Sequence, residues 1–328
     1  MLQGFFDQIG LNHTRSRAVV GIGKNADQVK ESFDNALTAA SRATVRVIES
    51  GNVVAYGTII DDRLIVTKAS LLKGTNLRCR YRNSRSFSVE KVSVLRSHDL
   101  ALLKSSKSLP KAGLQTTPIP APGSLIASSD INVWPLAIGA VSTRSMPIPS
   151  EGKLGIKMRE IPVVIKLIPG GSAEKAGIRV EDLISAVDGR SITTDQELID
   201  IVQSSLPGDV LTLTIQRNGT LLEFPVELFK YSKFDEALSD FEDFQGGPVS
   251  DRKTGFSRIV QHDTPILPRQ CGGPVVDIHG RFVGINIARA TRTSSYLMPA
   301  DELKVALQIL KENRKDKLVT VDVGTVND

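Results

Sequence analysis

The chain has 328 residues, with 41 Lys+Arg against 36 Asp+Glu and a formal charge of +5. At about 150 residues per domain this length suggests two domains, and so thin a positive excess argues against the concentrated basic stripe of a nucleic-acid binder. Two cysteines, Cys79 and Cys271, cannot supply a disulfide framework, and a chain of this size buries enough surface to need none. With no apolar run of about 18 residues, no membrane-spanning helix is expected. Residues 1–10 (MLQGFFDQIG) lack a basic leading region and carry Asp7 inside their short apolar stretch. They do not read as a secretory signal, although a chain trimmed of its signal would look the same.

Val29, Phe33, Leu37 and Ala40 recur at helical spacing and predict a helix over 26–41 with Asn25 as its N-cap. Over 43–104 the texture becomes short strands: ATVRVIES, VVAYGTIID, LIVTKAS, LRCRYR, FSVEKVSVLR and LALLK. Gly-Asn, Asp-Asp, Lys-Gly and Asn-Ser pairs punctuate them at barrel-like intervals. A Pro-rich connector (109–122) leads to the strand-like runs SLIASSD and WPLAIGAVST. Residues 152–228 follow another rhythm: strands GIKM and VVIKLI, the helical piece SAEKAG, strands DLISAVDG and RSI, the amphipathic helix DQELIDIVQSS, and a strand pair turning at Asn218-Gly219. An acidic stretch, 235–244, then leads to strands FSRIVQHD, GPVVDI and RFVGINIA, and to a helix from Asp301 to about Arg314 with Leu303, Ala306, Leu307 and Leu310 on one face.

Three segments, read in order, carry a resemblance: GTIIDDRLIVTKASL (57–71), HDLALLK (98–104) and QHDTPILPRQCGGPVVDIHGRFVGIN (261–286). Together they resemble the HtrA/DegP family of trypsin-like serine proteases, and PGGSAEKAGIRVEDLISAVDG resembles that family's PDZ domain. The implied fold is mainly β: a trypsin-like double β-barrel with an inserted α+β PDZ domain, plus N- and C-terminal helices. The expected organisation is an N-terminal segment (1–42), barrel 1 and the first part of barrel 2 (43–150), the PDZ domain (151–230), an acidic linker with the rest of barrel 2 (231–298), and a C-terminal helix and tail (299–328). In familiar members the PDZ domain follows the protease, whereas here it interrupts the second barrel.

The resemblance puts Asp99 at the carboxylate position of the triad, Ser70 at the histidine position and Cys271 at the nucleophile position. A hydroxyl is no general base near neutral pH, so this set lacks its proton acceptor. His98 adjoins Asp99 but strand alternation turns it away; His262 is the best outside candidate, and His279 fills a turn. In the oxyanion loop of Arg269, Gln270, Cys271 and Gly272, Arg269 replaces a glycine, which favours a collapsed loop with the Arg269 side chain over the site. Cys271 reads either as a reactive thiol activated by Arg269 (a cysteine hydrolase, adduct site or redox sensor) or as a buried thiol on a degenerate scaffold, and the absence of a base favours the latter. Cys79 faces into a barrel strand, away from the nucleophile loop.

In the PDZ segment, Lys153, Leu154, Gly155 and Ile156 stand where the resemblance puts the carboxylate-binding loop, and Ile156, Leu198 and Val202 would line the side-chain pocket. The competing reading is a spacer whose groove the host barrel blocks. Arg78, Arg80 and Arg82 share a strand face, 73–107 is net basic and 235–243 is acidic, which reads as an anionic docking surface, an intramolecular clamp or, more simply, solvated faces. The resemblance thus implies a serine endopeptidase relative without the triad His and Ser, a pseudoprotease acting through peptide binding in proteostasis; the alternative is an altered endopeptidase using Cys271. Its partners would be peptide or unfolded-protein C-termini, with no nucleic acid, no cofactor and no metal, and homo-oligomerisation stays open. A bacterial periplasm or envelope follows from the resemblance, and a cytoplasmic location is the alternative.

Overall fold

The computed structural model of the chain describes residues 27–31, 33–229 and 247–322. Two short helices, α1 (Asp27–Glu31) and α2 (Asp34–Ala43), stand where one helix over 26–41 is expected. The break falls at Phe33, whose ring is buried with Leu37, Ala40, Ala127, Ile138 and Val276. Asn25, the expected cap, lies outside the described residues, as does the acidic stretch 235–244.

Strands β1 (Thr44–Glu49), β2 (Asn52–Ile59), β3 (Leu64–Lys68), β4 (Leu77–Arg80), β5 (Phe87–Leu95) and β6 (Leu100–Ser105) close into a barrel ordered β1-β2-β3-β6-β5-β4. Period-2 patterning is clearest in β4 and the first half of β5. In β4, Leu77 and Cys79 are buried while Arg78 and Arg80 are exposed. Arg82 does not share that strand face: the strand stops at Arg80, and Arg82 sits in the following turn at φ 35°. β3 departs furthest from alternation, as β2 and β6 do in part, and is buried at all five positions including its terminal lysine.

The chain continues through β7 (Leu125–Ser129), β8 (Pro135–Ala140) and β9 (Met146–Ile148). There follow β10 (Ile156–Met158), β11 (Val164–Leu167), α3 (Ser172–Lys175), β12 (Leu183–Val187), β13 (Arg190–Ser191), α4 (Asp195–Ser204), β14 (Val210–Arg217) and β15 (Thr220–Glu227). β10 pairs with β11, and β13-β12-β14-β15 form a second small sheet. The β14–β15 turn uses Asn218 and Gly219, both at positive φ (50° and 78°), as a two-residue hairpin with the right twist demands. Leu154, Ile184, Leu198, Leu213 and Val226 are at the centre of this unit's core.

Last come β16 (Phe256–His262), β17 (Pro274–Asp277), β18 (Phe282–Arg289), β19 (Ser295–Pro299) and α5 (Ala300–Asp322). The seven-stranded sheet runs β8-β7-β17-β18-β19-β16-β9, and a bridge between Val141 and His262 returns β8 to β16. β9 and β19 carry little sequence signal, being short and containing proline, and α5 runs past the expected end at Arg314. The fold is mainly β. It divides into two compact units: one takes in the chain to Met146 with Gln245–Lys253 and everything from Arg258, the other Pro147–Phe244 with Thr254–Ser257.

Candidate functional site

Asp99 follows a 3-10 turn, Arg96–His98, and adopts a left-handed backbone at φ 54°. This aims a carboxylate only 2% exposed back over the end of β3. Three donors meet it there: the Ser70 N–H at 2.7 Å, the Ser70 hydroxyl at 2.9 Å and the Lys68 ammonium at 2.5 Å. Lys68 is fully buried and also donates to the Arg252 carbonyl at 2.9 Å. Arg252 is itself held by the carbonyls of Arg96 and Ser97. The position that sequence reading leaves vacant for a base therefore holds a cation. Burying an ammonium and a carboxylate is costly unless each is paired and hydrogen-bonded, and both conditions are met.

Cys271 is completely buried and unoxidised, as is Cys79. Burial pushes the Cys271 thiol up to about 11, against the opposing pull of the Lys68 charge and a Ser250 hydrogen bond; the Asp99 carboxylate pushes it further in the upward direction. The cation acting on this thiol is thus Lys68 rather than Arg269, whose side chain is exposed to solvent. Burial alone raises the Cys79 thiol as well.

The nucleophile loop is tightened into a 3-10 turn, Pro268–Gln270. Three of its amide donors are engaged: Gln270 N–H to Leu267 O at 2.8 Å, Cys271 N–H to Pro268 O at 3.1 Å, and Gly272 N–H to Asn286 O at 2.7 Å. An oxyanion hole needs such donors free and convergent, and these point at the protein's own carbonyls. Gly272 pins the loop against the first barrel. Its φ is +96°, and a Cβ there would lie 2.1 Å from the Tyr56 carbonyl oxygen.

None of the described histidines is hydrogen-bonded to Asp99 or Cys271. His98 stands on the 3-10 turn rather than on a strand, with Nδ1 2.9 Å from Ser97 Oγ and Nε2 3.1 Å from Glu302 Oε1. Standing on a turn, it is not oriented by strand alternation, and it makes no hydrogen bond to Asp99. His262 is buried, with Nδ1 2.7 Å from Thr264 Oγ1. His279 is exposed in the β17–β18 turn. The groups acting on the Cys271 thiol include Lys68, Ser250, Asp99 and Arg289, with no histidine among them.

In the second unit the loop before β10 keeps donors in reserve. Lys153 is tied through its backbone to Phe229, and the Leu154 and Gly155 carbonyls accept from Ala173 and Ile168. The N–H groups of Leu154 and Gly155 have no acceptor among the described residues. Gly155 holds φ +80°, with Gly171 Cα and the Phe229 ring 3.2 Å from where a Cβ would stand. Ile156 and Val202 are half-buried and pack at the core margin together with Met158 and Ile201. Leu198 is 1% exposed; it belongs to the core beneath the groove rather than to its accessible lining.

Lys68, Ser250 and Arg252 escaped sequence reading. A lysine ending a strand reads as exposed, and the other two come from a segment with no strand or motif signal. One clue was present in the residues: a carboxylate at a buried triad position without its histidine requires another cation, and Lys68 stands two residues before Ser70.

The family profile described as the PDZ domain matches residues 163–217. Over 90 residues the chain is 32% identical to the "Probable periplasmic serine endoprotease DegP-like" of Chlamydia trachomatis, covering 27% of this chain and 18% of that protein. Over 94 residues it is 32% identical to "Serine endoprotease DegS" of Escherichia coli, covering 29% of this chain and 26% of that protein. The chain therefore matches well under two thirds of the length of either relative. Among solved structures, a serine endoprotease from Yersinia pestis aligns at a TM-score of 0.36 and 20% identity, over 60% of this chain and 97% of that one. The chain is thus mainly β, carries a PDZ domain, and over some 90 residues is similar to the DegP-like and DegS serine endoproteases.

Proposed function

We propose that this chain binds the C-terminal segments of peptides or unfolded proteins through its PDZ unit and does not hydrolyse them. One contrast carries the reading. The amide donors of the nucleophile loop at Gln270, Cys271 and Gly272 are spent on internal carbonyls, whereas those of the PDZ loop at Leu154 and Gly155 are uncommitted. That contrast supports receipt of a carboxylate over stabilisation of a tetrahedral oxyanion, which would need the Cys271 N–H free. Chemistry at Asp99 and Cys271 argues the same way. The carboxylate that would orient an imidazole is occupied by Ser70 and Lys68, and the thiol, raised to about 11, is protonated at neutral pH. The names of the DegP-like and DegS relatives favour a place in bacterial envelope proteostasis.

The test is titration of the full chain with a labelled peptide ending in an apolar residue, beside the same peptide amidated at its C-terminus. Binding should require the free carboxylate and should be lost in Gly155→Val, because that position has positive φ and no room for a branched side chain. Equal binding of the amidated peptide would refute the groove reading.

A further inference from the structure

We propose that the peptide groove selects ligands bearing carboxylate side chains at the first and third positions before the C-terminal residue, an inference that rests on the groove reading above. β10 is paired on one side only, with β11; its other edge carries no strand among the described residues. Ile156 and Met158 pack toward the core of the unit. Lys157, between them, is exposed, and its cross-strand partner on β11 is Lys166, also exposed. Two ammonium groups directly opposite one another on an antiparallel pair repel each other. No ion pair relieves them among the described residues. Arg159, two positions further on, is likewise exposed without an ionic partner, and so is the acid next to it in sequence, Glu160. The strand edge beside the carboxylate loop is therefore cationic and uncompensated.

Strand geometry sets the register. A ligand carboxylate received by the Leu154 and Gly155 N–H groups starts an added strand along β10, with its last side chain on the apolar face shared by Ile156 and Val202. Successive side chains of an extended strand alternate faces. The first and third residues before the terminus then share the face of Lys157 and Lys166, where a glutamate or aspartate supplies the missing counter-charge. Lys157 and Lys166 are specificity determinants on this account, and the apolar pocket fixes only the terminal residue.

Fluorescence anisotropy with the full chain tests this, using peptides identical except for glutamate, glutamine or lysine at those two positions. The glutamate peptide should bind about five- to tenfold more tightly than the glutamine peptide, in line with two partly exposed ion pairs, and the lysine peptide more weakly still. A Lys157→Glu, Lys166→Glu double variant should reverse that order. Equal affinity for all three peptides, with binding still lost on amidation, would overturn the charge selection and leave the groove reading intact. Loss of carboxylate-dependent binding to every peptide would overturn both. A preference for glutamate that persists in the double variant would move the selectivity to another surface and overturn the assignment.

Discussion

Lys68 and Asp99 form an ion pair with side-chain exposures of 0% and 2%, so each depends on the other for its counter-charge. Removing one partner of such a pair strands the other, which costs about 3–5 kcal/mol, whereas replacing both with apolar groups is far less harmful. Lys68→Met should therefore lose about that much in urea unfolding of its unit, and Lys68→Met combined with Asp99→Leu should recover most of it. A full loss that persists in the double variant would mean that Lys68 acts mainly through other contacts. Cys271 adds a pH dependence. Its thiol is raised from 9.0 to about 11 in the fold, so the native state holds its proton where the unfolded state releases it. That contribution is complete below about 9 and is lost as pH rises toward 11. The unfolding midpoint should fall across this window, and the fall should be shallower in Cys271→Ala, with the raised thiol of Cys79 accounting for part of the remainder.

Elements explain what could be read from the residues alone. The barrel strands were legible because alternation is a direct trace of one buried face, as in Leu77–Arg80, and the Asn218-Gly219 hairpin because few other residue pairs accept its backbone. β3 broke the rule by being buried on both faces, which hid Lys68. The oxyanion loop was legible only in part: Arg269 signalled a departure from glycine, but the hydrogen bonds that use up its neighbours' amides depend on carbonyls at Pro268 and Asn286 that no spacing reveals. Helix α4, one wall of the peptide groove, starts with a capping box in which Thr194 accepts from the Glu197 N–H at 3.3 Å and Glu197 accepts from the Thr194 N–H at 3.1 Å. Thr194→Ala should cost about 1 kcal/mol in this unit's unfolding and should weaken peptide binding through a loosened wall. Unchanged stability would show that tertiary packing alone fixes the helix start. In the nucleophile loop, Gly272→Ala should be far more damaging, because its Cβ would meet the Tyr56 backbone oxygen at 2.1 Å; a thermal melt like that of the parent chain would contradict this.

At the scale of the whole molecule, the chain carries two compact units that differ in how their polar groups are satisfied. In the barrel-bearing unit Asp99 is paired with a buried cation, burial raises the Cys271 thiol, and three amides of the loop beside it are spent on internal carbonyls. The PDZ unit keeps unmet donors and an uncompensated cationic edge facing an open strand. That division is what supports the proposed function of recognition without hydrolysis. The most direct measurement is substrate turnover: casein incubated with the full chain and with Cys271→Ala, followed by mass spectrometry. The account predicts intact substrate in both samples. Cleavage by the parent chain that disappears in Cys271→Ala would contradict it.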